Sequence, residues 1–241
     1  MISKFHVLYV GQIELDNIGL NGTPANERRY SDERLREAYF TARDVARTMD
    51  ELGFDVLWTA EHHFQREGYE VFPNLIQLGL WLATQTKRLK FGCGFNVLPM
   101  WHPIRLAEDY AMADIVTDGR IVMGVGRGYH TREVESFGAP LLDANKNREL
   151  FEEQLELLLK CFNEDQFHHK GKFYEAPPPA IGGSCAGSPR TSTGTPNDIR
   201  SRPSSASTIE HSSITISAAF EAGESSHSSK FGVSSPLSRA R

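Results

Sequence analysis

The run Gly53-Phe54-Asp55-Val56-Leu57-Trp58-Thr59-Ala60-Glu61-His62-His63-Phe64 passes from a helix stop, through an apolar strand, into a cluster of polar groups. Residues 54–60 are β-rich and nearly continuously apolar, the pattern of a strand covered on both faces. Gly53 ends a helix. That helix is residues 33–52, where Leu35, Ala38, Val45, Ala46, Met49 and Leu52 recur at helical spacing.

The same alternation extends in both directions. Residues 5–10 read as a first strand and the polar stretch 11–32 as a long loop. Pro73 opens a helix to about residue 85, at a position where proline is tolerated. Residues 89–97 form a third strand. A third helix over 103–117 is closed by Asp118-Gly119. A fourth strand covers 120–125 and a fourth long helix 147–163. Strand and helix alternate four times, which implies right-handed βαβ units and a parallel sheet. The fold class is α/β. A doubly wound sheet and an eight-fold βα barrel both accommodate it, four units being half a barrel.

The character changes near Pro177. Residues 180–241 are rich in Ser, with Gly, Thr, Pro and Arg and few aliphatics. Such a segment buries too little apolar surface to offset its chain entropy. Two regions follow: a folded domain over 1–179 and a low-complexity, disordered tail over 180–241. Only the stretch 214–220 has the composition of a short structured element. The abrupt onset is what a shifted reading frame or a misjoined exon would produce.

The 241 residues carry a formal net charge of -5. No basic stripe invites nucleic acid or anionic lipid. No apolar run reaches the roughly 18 to 20 residues needed to span a bilayer, and no signal peptide precedes the first strand. Cys93, Cys161 and Cys185 are odd in number and far apart, which argues against a disulfide framework and for a reducing, cytoplasmic setting.

Active-site groups of parallel βα folds collect at the carboxyl ends of strands, and three clusters lie there. Glu61-His62-His63-Phe64 follows the second strand. A histidine there can position a proton or simply cap backbone groups. Glu61, His62 and His63 are adjacent and point in different directions, and no HExxH or CxxC spacing is present, so no metal is expected. Gly92-Cys93-Gly94-Phe95-Asn96-Val97-Leu98-Pro99 has glycines within a strand, the mark of a close ligand approach or a barrel-corner bend. Cys93 reads as a small packed residue. Gly124-Val125-Gly126-Arg127-Gly128-Tyr129-His130 offers exposed N–H groups and a guanidinium suited to phosphate, though a plain tight turn has the same pattern. It is not the GxGxxG fingerprint. His168-His169 and the acidic run 152–156 read as helix-end and solvated groups.

Taken in order and spacing, these stretches resemble the bacterial luciferase-like flavin-dependent monooxygenase family. The likeness includes His102-Pro103-Ile104-Arg105-Leu106-Ala107-Glu108-Asp109, Asp118-Gly119-Arg120 and Phe137-Gly138, and it covers about residues 1–175. It implies a (β/α)8 TIM barrel and an oxygenation reaction that uses FMN, reduced by a separate flavin reductase, and O2 on a small organic substrate. By the same resemblance His62 is the active-site histidine and Arg127 contacts the FMN phosphate. Gly94-Phe95 is the pair that often carries a non-proline cis peptide under the flavin. Asn96, Gly126 and Gly128 complete the cofactor set, with Glu61 and His63 as neighbours. Gly126 stands where the luciferases have a reactive cysteine. Related proteins use a deazaflavin for hydride transfer, an alternative cofactor. Homodimers or heterodimers are implied, without nucleic acid or membrane. After Phe173-Tyr174-Glu175-Ala176-Pro177-Pro178-Pro179 the fifth to eighth strands are not recognisable. A truncated, inactive or partner-dependent family member is the rival reading.

Overall fold

Val7, Leu57, Phe91 and Ile121 come into register as one apolar row across four parallel strands. The computed structural model describes residues 4–178 and 180–187. In chain order the elements are β1 (His6–Leu8), α1 (Asp32–Leu52), β2 (Val56–Thr59), α2 (Leu75–Ala83), β3 (Lys90–Cys93), β4 (Asn96–Val97), α3 (Pro103–Thr117), β5 (Ile121–Val122), β6 (Val125–Gly126), α4 (Thr131–Ser136) and α5 (Ala144–Asn163). Four short strands follow: β7 (Gln166–Phe167), β8 (His169–Lys170), β9 (Glu175–Ala176) and β10 (Cys185–Ala186). The main sheet has the order β1-β2-β3-β5 and is parallel throughout, and β4 pairs with β6 as its continuation. This is the α/β arrangement of consecutive βα units.

Alternation along the strands gives the sheet two different faces. The row containing Leu57, Phe91 and Ile121 packs into the main core with Leu78 and Leu82 of α2, Leu106 and Tyr110 of α3, and Leu157 and Leu158 of α5. The opposite row is Leu8, Trp58, Gly92 and Val122. Trp58 lies flat over Gly92, where any Cβ would overlap the indole ring. Its Nε1–H donates to His6 Nδ1 at 3.2 Å. The core therefore lies on the helix side, and the strand ends converge on the site.

Capping sets the helix boundaries. The Ser31 hydroxyl accepts from Arg34 N at the start of α1, and Gly53 closes it at φ 87°. Pro103 opens α3, and Asp118 at φ 54° ends it. One expected start moves: Pro73 precedes α2 rather than opening it, because the Asn74 side chain accepts from Gln77 N and takes the cap. The expected third and fourth strands are each divided, at Gly94-Phe95 and at Met123-Gly124. The Gly94–Phe95 peptide is cis. The helix α4, six residues long, is too short to show a period in the sequence.

One reading of the 150–187 region is corrected. Glu153 and His169 are not solvated helix-end groups. Glu153 accepts the backbone N–H groups of Lys172, Phe173 and Tyr174 at 2.8–3.0 Å, and His169 Nε2 lies 3.2 Å from its Oε1. This carboxylate takes up the backbone donors of the turn between β8 and β9. Beyond residue 179, β10 pairs antiparallel with β7, and Gly187 N donates to Asp165 O. The rest of the expected tail, including the stretch 214–220, lies outside the described residues. Among the described residues no helix is long and apolar enough to cross a membrane.

Burial alone would raise the Glu153 carboxyl, but bonds from Phe173, Tyr174, His169 and Lys172 outweigh it and hold its pKa below the ordinary 4.5. A lowered folded pKa gives stability that is complete above the unfolded pKa and is lost as pH falls through the folded one. Thermal melts should show the midpoint falling as pH drops below about 4.5. Glu153→Gln should cost about 1–3 kcal/mol at neutral pH and make that acid decline shallower. An unchanged decline would remove Glu153 as its source.

Candidate functional site

The chain leaves β2 through Ala60 into Glu61, whose side chain is almost wholly enclosed, with 2% of the residue exposed. A carboxylate can occupy such a place only if its oxygens are filled with donors. Oε2 accepts Asn96 Nδ2–H at 2.9 Å and the Val97 N–H at 2.8 Å. Oε1 accepts Trp101 Nε1–H at 2.9 Å and lies 3.0 Å from His63 Nε2. The other end of the Asn96 amide accepts the Tyr110 hydroxyl at 2.6 Å. Both ends of Asn96 are thus used within the protein, and its side chain supports the site from behind. Burial pushes the Cys93 thiol up to about 12, with the Glu61 charge adding to it, so Cys93 is a packed thiol and not a nucleophile.

His62 is also buried, with 5% exposed. Its backbone N–H is held by Phe72 O at 3.0 Å. Its ring stands between two carboxylates, Nδ1 at 3.2 Å from Glu133 Oε1 and Nε2 at 3.2 Å from Glu70 Oε2. Gln65 Nε2–H also donates to Glu133 Oε1, at 3.0 Å. Burial would raise the Glu133 carboxyl. Hydrogen bonds from the His62 ring, Gln65 and the His63 backbone prevail and hold it below the usual glutamate range. The rings of Tyr129 and His130 border His62 edge-on, with centroids 5.8 and 5.4 Å away.

The pairing of β4 with β6 sets Asn96 beside Val125 and Val97 beside Gly126. The second and third glycine clusters are therefore neighbours. Phe95 fills the space above Gly126, where a Cβ would lie 3.4 Å from the Phe95 Cβ. Gly128 is required twice: φ is +80°, and a Cβ would come within 2.6 Å of Val97 Cγ1 and 2.7 Å of Val134 Cγ2. Arg127 follows directly after β6. Its guanidinium makes no hydrogen bond or ion pair among the described residues, so its five donors are available to an anion.

The structure brings His62 together with the end of β6, and places Glu61, His63 and Asn96 in one adjoining network. Glu70, Glu133 and His130 escaped the sequence reading as partners of His62. Glu133 lies in the short helix α4 and Glu70 in the loop after β2, 71 and 8 positions from His62 respectively; no spacing rule joins them. Their one visible signal was the position of His130 at the end of the third glycine cluster.

The family described as luciferase-like monooxygenase matches residues 19–196. The oxygenase component of flavin-dependent trigonelline monooxygenase from Acinetobacter baylyi is 31% identical over 150 residues, 62% of this chain and 41% of that protein. The alkanal monooxygenase alpha chain of Photorhabdus laumondii is 35% identical over 108 residues, 45% of this chain and 29% of that one. The chain thus spans about two fifths or less of these curated relatives. Among solved structures, the oxygenating constituent of 3,6-diketocamphane monooxygenase from Pseudomonas putida, in complex with FMN, superposes with a TM-score of 0.60 at 24% identity. The overlap covers 73% of this chain and 43% of that one, and shows a shared fold.

Glu61→Gln keeps the shape of the side chain but turns an N–H2 toward donors. Chemical denaturation should show a loss of about 1.5–3 kcal/mol, the range for hydrogen bonds to a charged group. Arg127→Ala in the same assay should stay within about 0.5 kcal/mol. Equal losses in both variants would mean that Glu61 is not the anchor.

Proposed function

Because this chain belongs to the luciferase-like monooxygenase family, we propose that its strand ends form the FMN side of an oxygenase that acts on a small organic substrate. The observation that carries this reading is Arg127, a cation without a partner among the described residues, immediately after β6. A guanidinium so placed suits a phosphate monoester, with the N–H groups around Gly126 and Gly128 adding donors. Gly126 of β6 and the Gly94–Phe95 peptide would lie against the flat ring system.

When bound and reduced, the flavin supplies the two electrons that let one atom of O2 enter a substrate while the other leaves as water. The chain's own residues supply position and proton control. Glu133 accepts a hydrogen bond from the Nδ1–H of His62, which leaves Nε2 as the atom that accepts or returns a proton at the reacting face. Glu61 and Asn96 hold the backbone of β4 in place. One curated relative is named an oxygenase component, which supports a separate flavin reductase as the source of reduced FMN. A deazaflavin serves as the control cofactor.

Equilibrium titration with flavins tests the cofactor site. Arg127→Ala should weaken FMN binding about 10- to 100-fold, the loss of one charge-assisted contact. Riboflavin, which lacks the phosphate, should bind both proteins alike. Equal effects on FMN and riboflavin would sink the phosphate role, and preference for a deazaflavin would redirect the cofactor assignment. With reduced FMN, O2 and a substrate panel, His62→Ala should lower product formation by about a hundredfold or more. Its FMN affinity should stay close to that of the parent.

A further inference from the structure

His62 faces two acceptors with one ring. A neutral imidazole has a single N–H, and an ionised carboxylate has none to give. Yet Nδ1 lies 3.2 Å from Glu133 Oε1 and Nε2 lies 3.2 Å from Glu70 Oε2. If Nδ1 carries the proton toward Glu133, the lone pair of Nε2 points at a carboxylate oxygen. That arrangement is repulsive unless a positive charge lies between them. Tyr129 Oη, 3.4 Å from Nε2, is only at the edge of hydrogen-bond reach.

His130 supplies the third group. One ligand atom each from His62, Glu70 and His130 lies within 4.8 Å of the other two. The rings of His62 and His130 stand nearly perpendicular, at 88°. Metal–nitrogen and metal–oxygen bonds of about 2.0–2.2 Å in a tetrahedron place neighbouring donors roughly 3.3 Å apart. The Nε2-to-carboxylate separation is of that size. The three residues come from the end of β2, from the loop before α2 and from the N-cap of α4. The Arg132–Glu67 ion pair at 2.6 Å and the Gln65–Glu133 bond tie that loop to α4. The site is thus held by the fold and not by one flexible segment.

We propose that His62, Glu70 and His130 form a divalent transition-metal site of the Zn2+ type, with Glu133 as the outer carboxylate that fixes the His62 ring. Two imidazoles, one carboxylate and an open fourth position are the donor set of mononuclear zinc centres. A carboxylate on the far nitrogen of a ligating histidine sets its tautomer and raises its basicity. Glu70 and Glu133 together offset the charge of a dication. The site goes beyond the flavin reading and competes with it for His62 Nε2: a bound ion would occupy the atom that otherwise handles the proton. It does not depend on flavin binding, so each can fail alone.

The test is equilibrium binding of Zn2+ and Co2+ to the chelator-washed full chain, by calorimetry and by the visible absorption of Co2+. The expected result is one ion per chain at micromolar affinity or tighter, with an intense visible Co2+ band of tetrahedral type. Glu133→Gln should weaken binding about 10- to 100-fold, as outer-shell changes do. His130→Ala and Glu70→Gln should weaken it further, and His168→Ala, on the exposed β7–β8 turn, should leave it unchanged. Thermal melts identify any variant that fails to fold, and the remaining substitution then decides. Absence of saturable binding in a cooperatively melting protein would overturn the proposal. Binding indifferent to both His130→Ala and Glu70→Gln would overturn it equally.

Discussion

The carboxylate of Glu61 is the constraint on which the strand ends depend. It is buried, and a buried charge without donors costs several kcal/mol. Its oxygens are filled from two further places in the chain: the backbone and amide at Asn96-Val97, and the indole of Trp101. To keep the charge satisfied, the end of β2 has to stay beside β4 and beside the turn that leads to α3. The Trp101 carbonyl in turn accepts from Gln154 of α5. One charge thereby fastens three βα units at the end where the chemistry sits.

The sheet below serves this arrangement through its two faces. The helix-facing row is aliphatic and aromatic and seals the core. The opposite row has a large ring, Trp58, laid over a residue with no side chain, Gly92. Such pairing of large with absent side chains lets the concave face close without a void. It also explains glycines in a strand better than a ligand does at that position. At Gly126 and Gly128 the close neighbours are again protein atoms, Phe95, Val97 and Val134. These glycines bring β4, β6 and α4 close together, and that closeness sets Arg127 and His62 at adjoining strand ends.

His62 stands where two demands meet. As a proton-handling group it needs one nitrogen held and the other free. Glu133 does the holding. Glu70 and His130 crowd the other nitrogen with acceptors, which is the geometry of coordination. The same ring can answer to a flavin reaction or to a cation, and occupancy by one excludes the other.

The sequence by itself determined the order of elements, the parallel sheet, the helix stops at Gly53 and Asp118, and the family. These are local matters: hydrophobic period, capping chemistry and turn residues act over a few positions. It also placed His62 and Arg127 at strand ends, because position after a strand is readable. Two local expectations are overturned. Pro73 yielded the cap to Asn74, whose side chain offers an acceptor that proline lacks. Glu153 and His169 looked solvated because nothing in an acidic helix shows which carboxylate a later turn will need. Only the tertiary structure decided who surrounds His62. Glu70 and Glu133 are 63 residues apart in the chain, and they meet at one ring because the β2 loop and α4 fold over the same strand ends. Long-range charge pairing of that kind has no period, and it becomes visible only once the backbone has brought the groups together.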